Sequence, residues 1–430
     1  MLGREGDMRP TMTLMSTVLL SWVSAAQAQT TEPAPTTPDT TAIEAIAEEA
    51  TVEAAPAIEA TAAPVVDAAP LAAPAEAEEV TTELSIEATP DEESAGPTWS
   101  GYIEAAYHFN ASRPDLFPVA RVYEGTGTAF GNGFYLHAAH LALGHSFSDR
   151  FSGVIELDVG SDAGLNSARG ELLDVQEAYL SFNCACIDLS ITAGKFVTYE
   201  GIEVIEGPLN PTITRGLLFG YAEAFTHVGV KIHYAPSDLI DVGLGVVNGW
   251  DQLVDNNAGK TVIGRVLLRP IEGLFFNLSG SIGPEQPEAD DESNTNLRWS
   301  GDLTAGYTVN DHLTINVQAN WGQELDVVTE RDAMEVRIGG MDAEWFGFGL
   351  QPVVTLDDFT VGARFEMMHD DDGARLGTAD INYYNVTLTP GMRWDGVAVR
   401  AEYRLDVANE TVFNGRDTQH TAALSASYTF

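Results

Sequence analysis

At 430 residues the chain is long enough for two or three soluble domains, and it carries a formal charge of −43. So acidic a chain is excluded as a nucleic-acid binder, because phosphate recognition needs clustered Lys and Arg. The charge is uneven: residues 29–97 hold 16 acidic and no basic residues, and residues 98–430 hold 46 acidic and 19 basic.

The chain opens on an export-signal pattern. Arg4 and Arg9 precede the apolar run "LMSTVLLSWVSA", and "AQA" follows before Gln29, so cleavage is expected after Ala28. The run is shorter than the ~20 apolar residues of a membrane-spanning helix. No Cys follows it, which argues against a lipoprotein anchor. Residues 29–97 are built mainly from Ala, Pro, Glu and Thr. They hold too little apolar surface to offset ordering entropy, so a disordered segment is expected. As a flexible chain it would span roughly 45 Å, serving as a spacer, a tether or a solvated tail.

From Trp99 onward the dominant signal is alternation with period two. "WSGYIEAAYHF" sets Trp99, Ile103, Tyr107 and Phe109 against Ser100, Tyr102, Glu104 and His108. "HLTINVQANW" and "GVAVRAEYRL" alternate likewise, each a strand with one apolar and one polar face. Two cysteines, Cys184 and Cys186, fall in the turn "NCACID". A bridge between them would close a strained ring, and no further ligands for a metal stand near. Seven short connections ("SDR", "NCACI", "APSD", "PIEG", "VND", "LDD" and "WDG") carry the residues tight turns demand. Eight longer polar connections alternate with them, so 16 strands of about 9–11 residues are predicted.

A sandwich of so many hairpins would leave long edges unpaired, whereas a closed barrel leaves none. The pattern therefore predicts an all-β, transmembrane, antiparallel up-and-down barrel over residues 98–430. The last strand, "HTAALSASYTF", places Tyr428 and Phe430 on the lipid-facing side at the level of an interfacial aromatic girdle. It also resembles the assembly signal of bacterial outer-membrane proteins, implying the barrel assembly machinery and outer-membrane lipid as partners.

The polar faces describe a lumen. Acids come early (Glu104, Glu156, Asp158, Glu177) and bases later (Lys231, Arg265, Arg269, Arg298, Arg364, Arg393, Arg400, Arg404), with Asp302, Glu366 and Glu402 among them. The third long loop, "VTYEGIEVIEGPLNPTITRGLLFGYAEA", spans 197–224. Its Val204, Ile205, Leu209, Ile213, Leu217, Leu218 and Phe219 would not be left in water, so it is expected to fold inward and narrow the pore. In a 16-strand barrel the fifth and sixth strands lie opposite the thirteenth and fourteenth. Glu200, Glu203 and Glu206 are thus expected to face Arg364, Arg393, Arg400 and Arg404 across the constriction, with Glu223 nearby.

"GKFVTYEGIEVIEGPLNPTITRGLLFGYAEAFTHVGVKIHY" followed by "VVNGWDQLVDNNAGKT" resembles the OmpL-like β-barrel porin family over essentially residues 98–430. The signal is the ordered occurrence of "GK", "NP", "R", "LFG", "FTH", "NGWD" and "DNN". The resemblance implies an outer-membrane porin; it supplies no enzyme, no cofactor and no settled solute. Likeness to general porins implies a homotrimer, although lipid-facing and subunit-facing apolar residues look alike in sequence.

Other signals are weaker. His137 and His140 of "HAAH" stand three apart and so are expected on opposite strand faces, which excludes shared metal ligation. "HDDD" at 369–372 and "ADDE" at 289–292 match no calcium-loop spacing and read as solvated acids. His420 with Ser425 or Ser427 gives no nucleophile–base pair, because they fall on opposite faces. The leading expectation is passive diffusion, with a low-conductance structural or receptor-like barrel as the alternative.

Overall fold

The alternating segments form sixteen antiparallel strands: β1 (Thr98–Asn110), β2 (Gly133–Ser148), β3 (Phe151–Val159), β4 (Leu173–Cys184), β5 (Leu189–Val197), β6 (Thr226–Ser237), β7 (Ile240–Val247) and β8 (Thr261–Ile271), then β9 (Leu274–Pro284), β10 (Leu297–Asn310), β11 (Leu313–Arg331), β12 (Arg337–Leu356), β13 (Phe359–Asp370), β14 (Ile381–Trp394), β15 (Val397–Ala408) and β16 (Thr418–Thr429). Each pairs with its sequence neighbours, and β16 returns to β1, closing the barrel. This is a computed structural model that describes residues 96–111, 132–165, 173–184, 187–291, 294–331, 337–413 and 415–430. The export signal expected over 1–28, nearly all of the acidic segment 29–97, and Cys186 lie outside the described residues.

Period two sorts the side chains between two faces. In β1, Ile103, Tyr107 and Phe109 are exposed on the outside, and Tyr102, Glu104 and His108 are buried on the inside. The same division runs round the barrel, putting Leu180, Val230, Leu244, Leu278, Leu303, Phe348, Val386 and Leu424 outside. Exposed aromatics gather beside the tight turns: Phe147, Phe151, Tyr234, Tyr307, Phe359, Trp394, Tyr428 and Phe430. An apolar band edged by aromatics suits lipid and its interface. No helix among the described residues is long and apolar enough to cross a membrane.

Six of the short turns occur where the sequence places them, and the seventh, "NCACI", includes residues outside the described ones. The β14–β15 turn needs positive φ at two successive residues, supplied by Asp395 (48°) and Gly396 (79°), as in hairpins whose turn twist matches the strands. Strand length departs from expectation: β7 has 8 residues, and β12 has 20. The β11–β12 hairpin carries register shifts beyond Glu324, so its pairing turns irregular there.

One register shift changes a face assignment. Glu104 pairs with Ala138 but Ala105 with Leu136, leaving His137 as the extra residue of a bulge in β2. A bulge resets the alternation, and both His137 and His140 are buried. His137 Nε2 lies 2.8 Å from His108 Nε2, and His140 Nδ1 2.9 Å from Asp158. The expectation of opposite faces is therefore corrected, although the two rings contact different partners.

Candidate functional site

The connection between β5 and β6 is tied to inward-facing side chains around much of the wall. Its anchors begin with the short spacing of acids and bases along β13 and β15. Arg364 and Glu366 are two apart on β13, and Arg400, Glu402, Arg404 and Asp406 follow period two on β15, so each set shares one face. All six are buried. Arg364 donates to Glu203 Oε1 at 2.6 Å, to the Thr214 carbonyl at 2.6 Å and to the Arg215 carbonyl at 3.2 Å. Arg400 donates to the Asn210 carbonyl at 2.8 Å, and Arg404 to the Arg215 carbonyl at 2.7 Å. Arg393 donates to the Pro208 carbonyl at 2.8 Å.

The wall acids hold the same connection by its N–H groups. Glu402 accepts from the Ile213 amide at 2.5 Å and the Thr214 amide at 3.1 Å. Glu366 accepts from the Leu217 amide at 2.7 Å. Irregular backbone needs such partners when it leaves water. The glycines of this region make room: a Cβ on Gly362 would stand 2.4 Å from the Pro211 carbonyl oxygen, and one on Gly347 would stand 2.2 Å from Leu218. Leu217, Leu218, Tyr221 and Ala222 pack with Trp250, Trp345, Met368, Tyr383 and Phe413, Phe219 packs with Ile205, and Leu209 is exposed.

The glutamates do not form one row facing one arginine wall. Glu203 makes an ion pair with Arg364 at contact distance. Glu200 instead accepts from Ser300 of β10 at 2.7 Å, and Glu206 accepts from Gln176 of β4. A 28-residue connection doubles back on itself, so sequence order along it does not translate into direction. The arginines likewise divide their contacts, Arg400 pairing with Glu104 of β1 at 2.5 Å and Arg404 with Asp406 at 2.8 Å. The expected lumen-lining residues Glu156, Asp158, Lys231, Arg265 and Asp302 are buried on the inner face. Arg298, less fully covered, pairs with Glu324 at 2.6 Å.

Charge within the connection follows from these partners. Burial acts to raise Glu203, but the Arg364 and Arg215 guanidinium groups outweigh it and hold the carboxyl below its usual range. Burial, with Asp302 beside it, pushes Glu200 up to about 8, and burial also raises Glu206 and Glu223. A carboxyl raised on folding keeps its proton where the unfolded chain has lost it. Between the unfolded value near 4.5 and about 8, stability therefore falls as pH rises. Glu200→Gln should remove this decline. The variant's folded band should survive to a higher temperature than the wild type at pH 8, with little difference at pH 4, as read by heat-modifiable gel mobility.

Several residues of the family motifs take roles that their sequence alone does not show. Arg215, fully buried, donates to the Ile205 carbonyl at 2.6 Å and so crosslinks the connection to itself. Asp251 of "NGWD" accepts from the Phe225 and Thr226 amides at 2.7 and 2.9 Å, fixing where β6 begins. The first Asn of "DNN", Asn256, donates to the Glu285 carbonyl at 3.2 Å, and Asn257 to the Pro284 carbonyl at 3.0 Å. The motif residues thus join neighbouring loops. At the rim, His369, Asp371 and Asp380 bring ligand atoms within 4.8 Å of one another. His420 contacts Tyr403 on the outer face, while Ser425 and Ser427 are buried inside.

A closed sixteen-strand wall with an apolar outer band and a polar, ion-paired interior defines an outer-membrane barrel of the porin class. The family described as putative beta-barrel porin-2, OmpL-like, matches residues 96–430, and the chain belongs to that family. Solved structures share the fold at low identity. The outer membrane channel DcaP of Acinetobacter baumannii is 12% identical with a TM-score of 0.55, over 78% of this chain and 97% of its own. The anion-selective porin from Comamonas acidovorans is 9% identical with a TM-score of 0.53, over 78% and 99%. Salmonella typhi OmpF, in complex with daunomycin, is 12% identical with a TM-score of 0.51, over 78% and 97%. No curated protein sequence matches the chain significantly. Family and fold identify an outer-membrane porin of a Gram-negative-type bacterium and point to a non-enzymatic channel.

Proposed function

We propose that the chain allows passive diffusion of small hydrophilic solutes through a lumen narrowed by residues 197–224. The observation that carries this reading is the anchoring of that connection, through Glu203 and the Thr214 and Arg215 carbonyls, to Arg364 and Arg404 on the inner wall. A connection held on the inside removes cross-section from the lumen while leaving the barrel closed. The inner faces of β9–β11 carry uncharged polar side chains, including Asn277, Ser279, Thr304, Gln318 and Asn320, as a hydrophilic lumen requires.

Purified full-length protein in planar bilayers should give stable, ohmic current steps in KCl. Absence of any stable step from correctly folded protein would favour the low-conductance structural or receptor-like barrel instead. Orientation has its own test. Ala289 lies in a long connection and Asp311 in a tight turn, and both are exposed. In intact cells a membrane-impermeant thiol reagent should label Ala289→Cys and spare Asp311→Cys. The reverse pattern would invert the barrel.

A further inference from the structure

The two ends of the 197–224 connection return to one place on the inner wall. Near its start, the Gly201 amide donates to Asp302 Oδ1 of β10 at 3.2 Å, and Glu200 accepts from the Ser300 hydroxyl at 2.7 Å. At its end, Glu223 accepts from the Gln318 side chain of β11 at 2.7 Å, and the same amide group donates to Asp302 Oδ2 at 2.7 Å. The Glu223 carboxyl also lies against Gly201, where a Cβ would overlap its Oε1. Glu200, Glu223 and Asp302 thus converge, each more than nine-tenths buried.

The donors to these three carboxyls are neutral, Asn320 adding one to Asp302 at 3.1 Å. Among the described residues none of the three makes an ion pair. Charged groups on the surrounding elements are engaged elsewhere: Arg298 of β10 with Glu324, Arg265 of β8 with Asp241, and Glu203 with Arg364. Asp251 accepts from the Phe225 and Thr226 amides, and Arg375 donates to the Tyr221 carbonyl. On β6, Lys231 lies over the Phe196 and Tyr199 rings, His227 contacts the Gly249 carbonyl, and His233 the Tyr199 hydroxyl. Three buried negative charges without a cation are costly, so the cluster stands together only while it holds protons. Burial, with Asp302 beside them, raises Glu200 to about 8 and Glu223 well above its usual range. A cavity adjoins the cluster, between residues 197–206 and the inner faces of β6, β8, β9 and β10. Glu200 and Gly201 line it, with Asn277 and Thr304 among the wall residues.

We propose that Glu200, Glu223 and Asp302 form a proton-held latch, and that loss of the protons releases both ends of the connection from β10 and β11. Released acids meet water and ionise, so deprotonation and release favour one another. The segment at Glu200 and Gly201 then moves off β10 and widens the adjoining gap, while Arg364, Arg400 and Arg404 keep the middle of the connection on β13 and β15. The latch rests on the porin reading, because the gap carries solute only if the barrel conducts. Each acid that stays protonated when latched and ionises when released raises the ratio of open to latched by up to about tenfold per pH unit.

The test reads single-channel conductance of full-length protein in planar bilayers from pH 5 to pH 9. In 1 M KCl, screening within about 3 Å mutes the direct pull of ionised acids on the current. Conductance should rise with pH. The slope of log(open/latched) against pH should fall by up to about one in Glu200→Gln or Glu223→Gln. The double variant keeps neutral hydrogen-bonding groups at both positions and should hold the low-pH conductance throughout. A flat profile in the parent overturns the latch, as does a rise that survives unchanged in the variants. If no current is seen at all, the porin reading fails, and the latch is read by hydrogen exchange over residues 198–206 of folded, detergent-solubilised protein. Exchange is normalised to the unstructured rate at each pH. Protection lost at pH 9 in the parent and kept in the double variant upholds the latch. Equal protection at pH 5 and pH 9 in the parent, or equal loss in both proteins, overturns it.

Discussion

Replacing Arg364 by Ala should widen the conducting path and destabilise the folded barrel by about 3–5 kcal/mol, the usual cost of removing one partner of a buried ion pair. Arg364 is 1% exposed. One guanidinium engages Glu203, Thr212 and the Thr214 and Arg215 carbonyls of the connection, and also reaches Asn385 and Thr387 of β14. Without it, Glu203 stays buried without its ion-pair partner, and the most economical relief is for the connection to move away from β13. Single-channel conductance should rise and the temperature of band conversion should fall. Arg364→Met combined with Glu203→Gln should recover much of the stability, because it removes both charges together. Unchanged conductance and unchanged stability in Arg364→Ala would mean that the connection is held by its other contacts alone.

Deleting Phe430 should abolish most of the heat-modifiable folded band. The Phe430 amide donates to the Gly101 carbonyl at 2.9 Å, and its own carbonyl accepts from the Gly101 amide at 3.0 Å. These bonds end the seam at which β16 meets β1. The ring lies over Gly101, where a Cβ would stand 3.0 Å from Phe430 Cζ, and its centroid is 5.9 Å from that of Trp99. Phe430→Ala keeps the backbone bonds and loses only the ring, so its yield of folded protein should fall between deletion and wild type. Phe430→Tyr should assemble normally, since Tyr also suits the interface. Full folded yield from the deletion would leave the residue as one more aromatic of the girdle.

The barrel was legible because a strand writes its two faces into every second residue, and no distant contact alters that rule. The tight turns were legible for a similar reason, since Asp395–Gly396 needs a backbone few other pairs adopt. What stayed hidden depended on a change of phase or on a path. One bulged residue turns His137 to the same side as His140, and nothing in "HAAH" marks the slip. The connection after β5 has no period, so Glu200, Glu203 and Glu206 looked like a single acidic edge. The folded chain sends them to β10, β13 and β4. The wall half of the site was nonetheless written plainly: "ARFEM" and "VRAEYRLD" put arginine and carboxylate in phase, and those residues grip the connection.

The pairing of Arg400 with Glu104 has a consequence for the order of assembly. Arg400 stands on the penultimate strand and Glu104 on the first, and the same guanidinium holds the Asn210 carbonyl. These three groups meet only when opposite ends of the chain have come together, with a separation of 296 positions between the charged partners. Closure of so large a loop is entropically late. The arrangement with all three groups in contact is therefore expected only once the wall is sealed. A partly zipped intermediate would hold the Asn210 segment only by its earlier partners, leaving a wide, leaky ring until the last strand arrives.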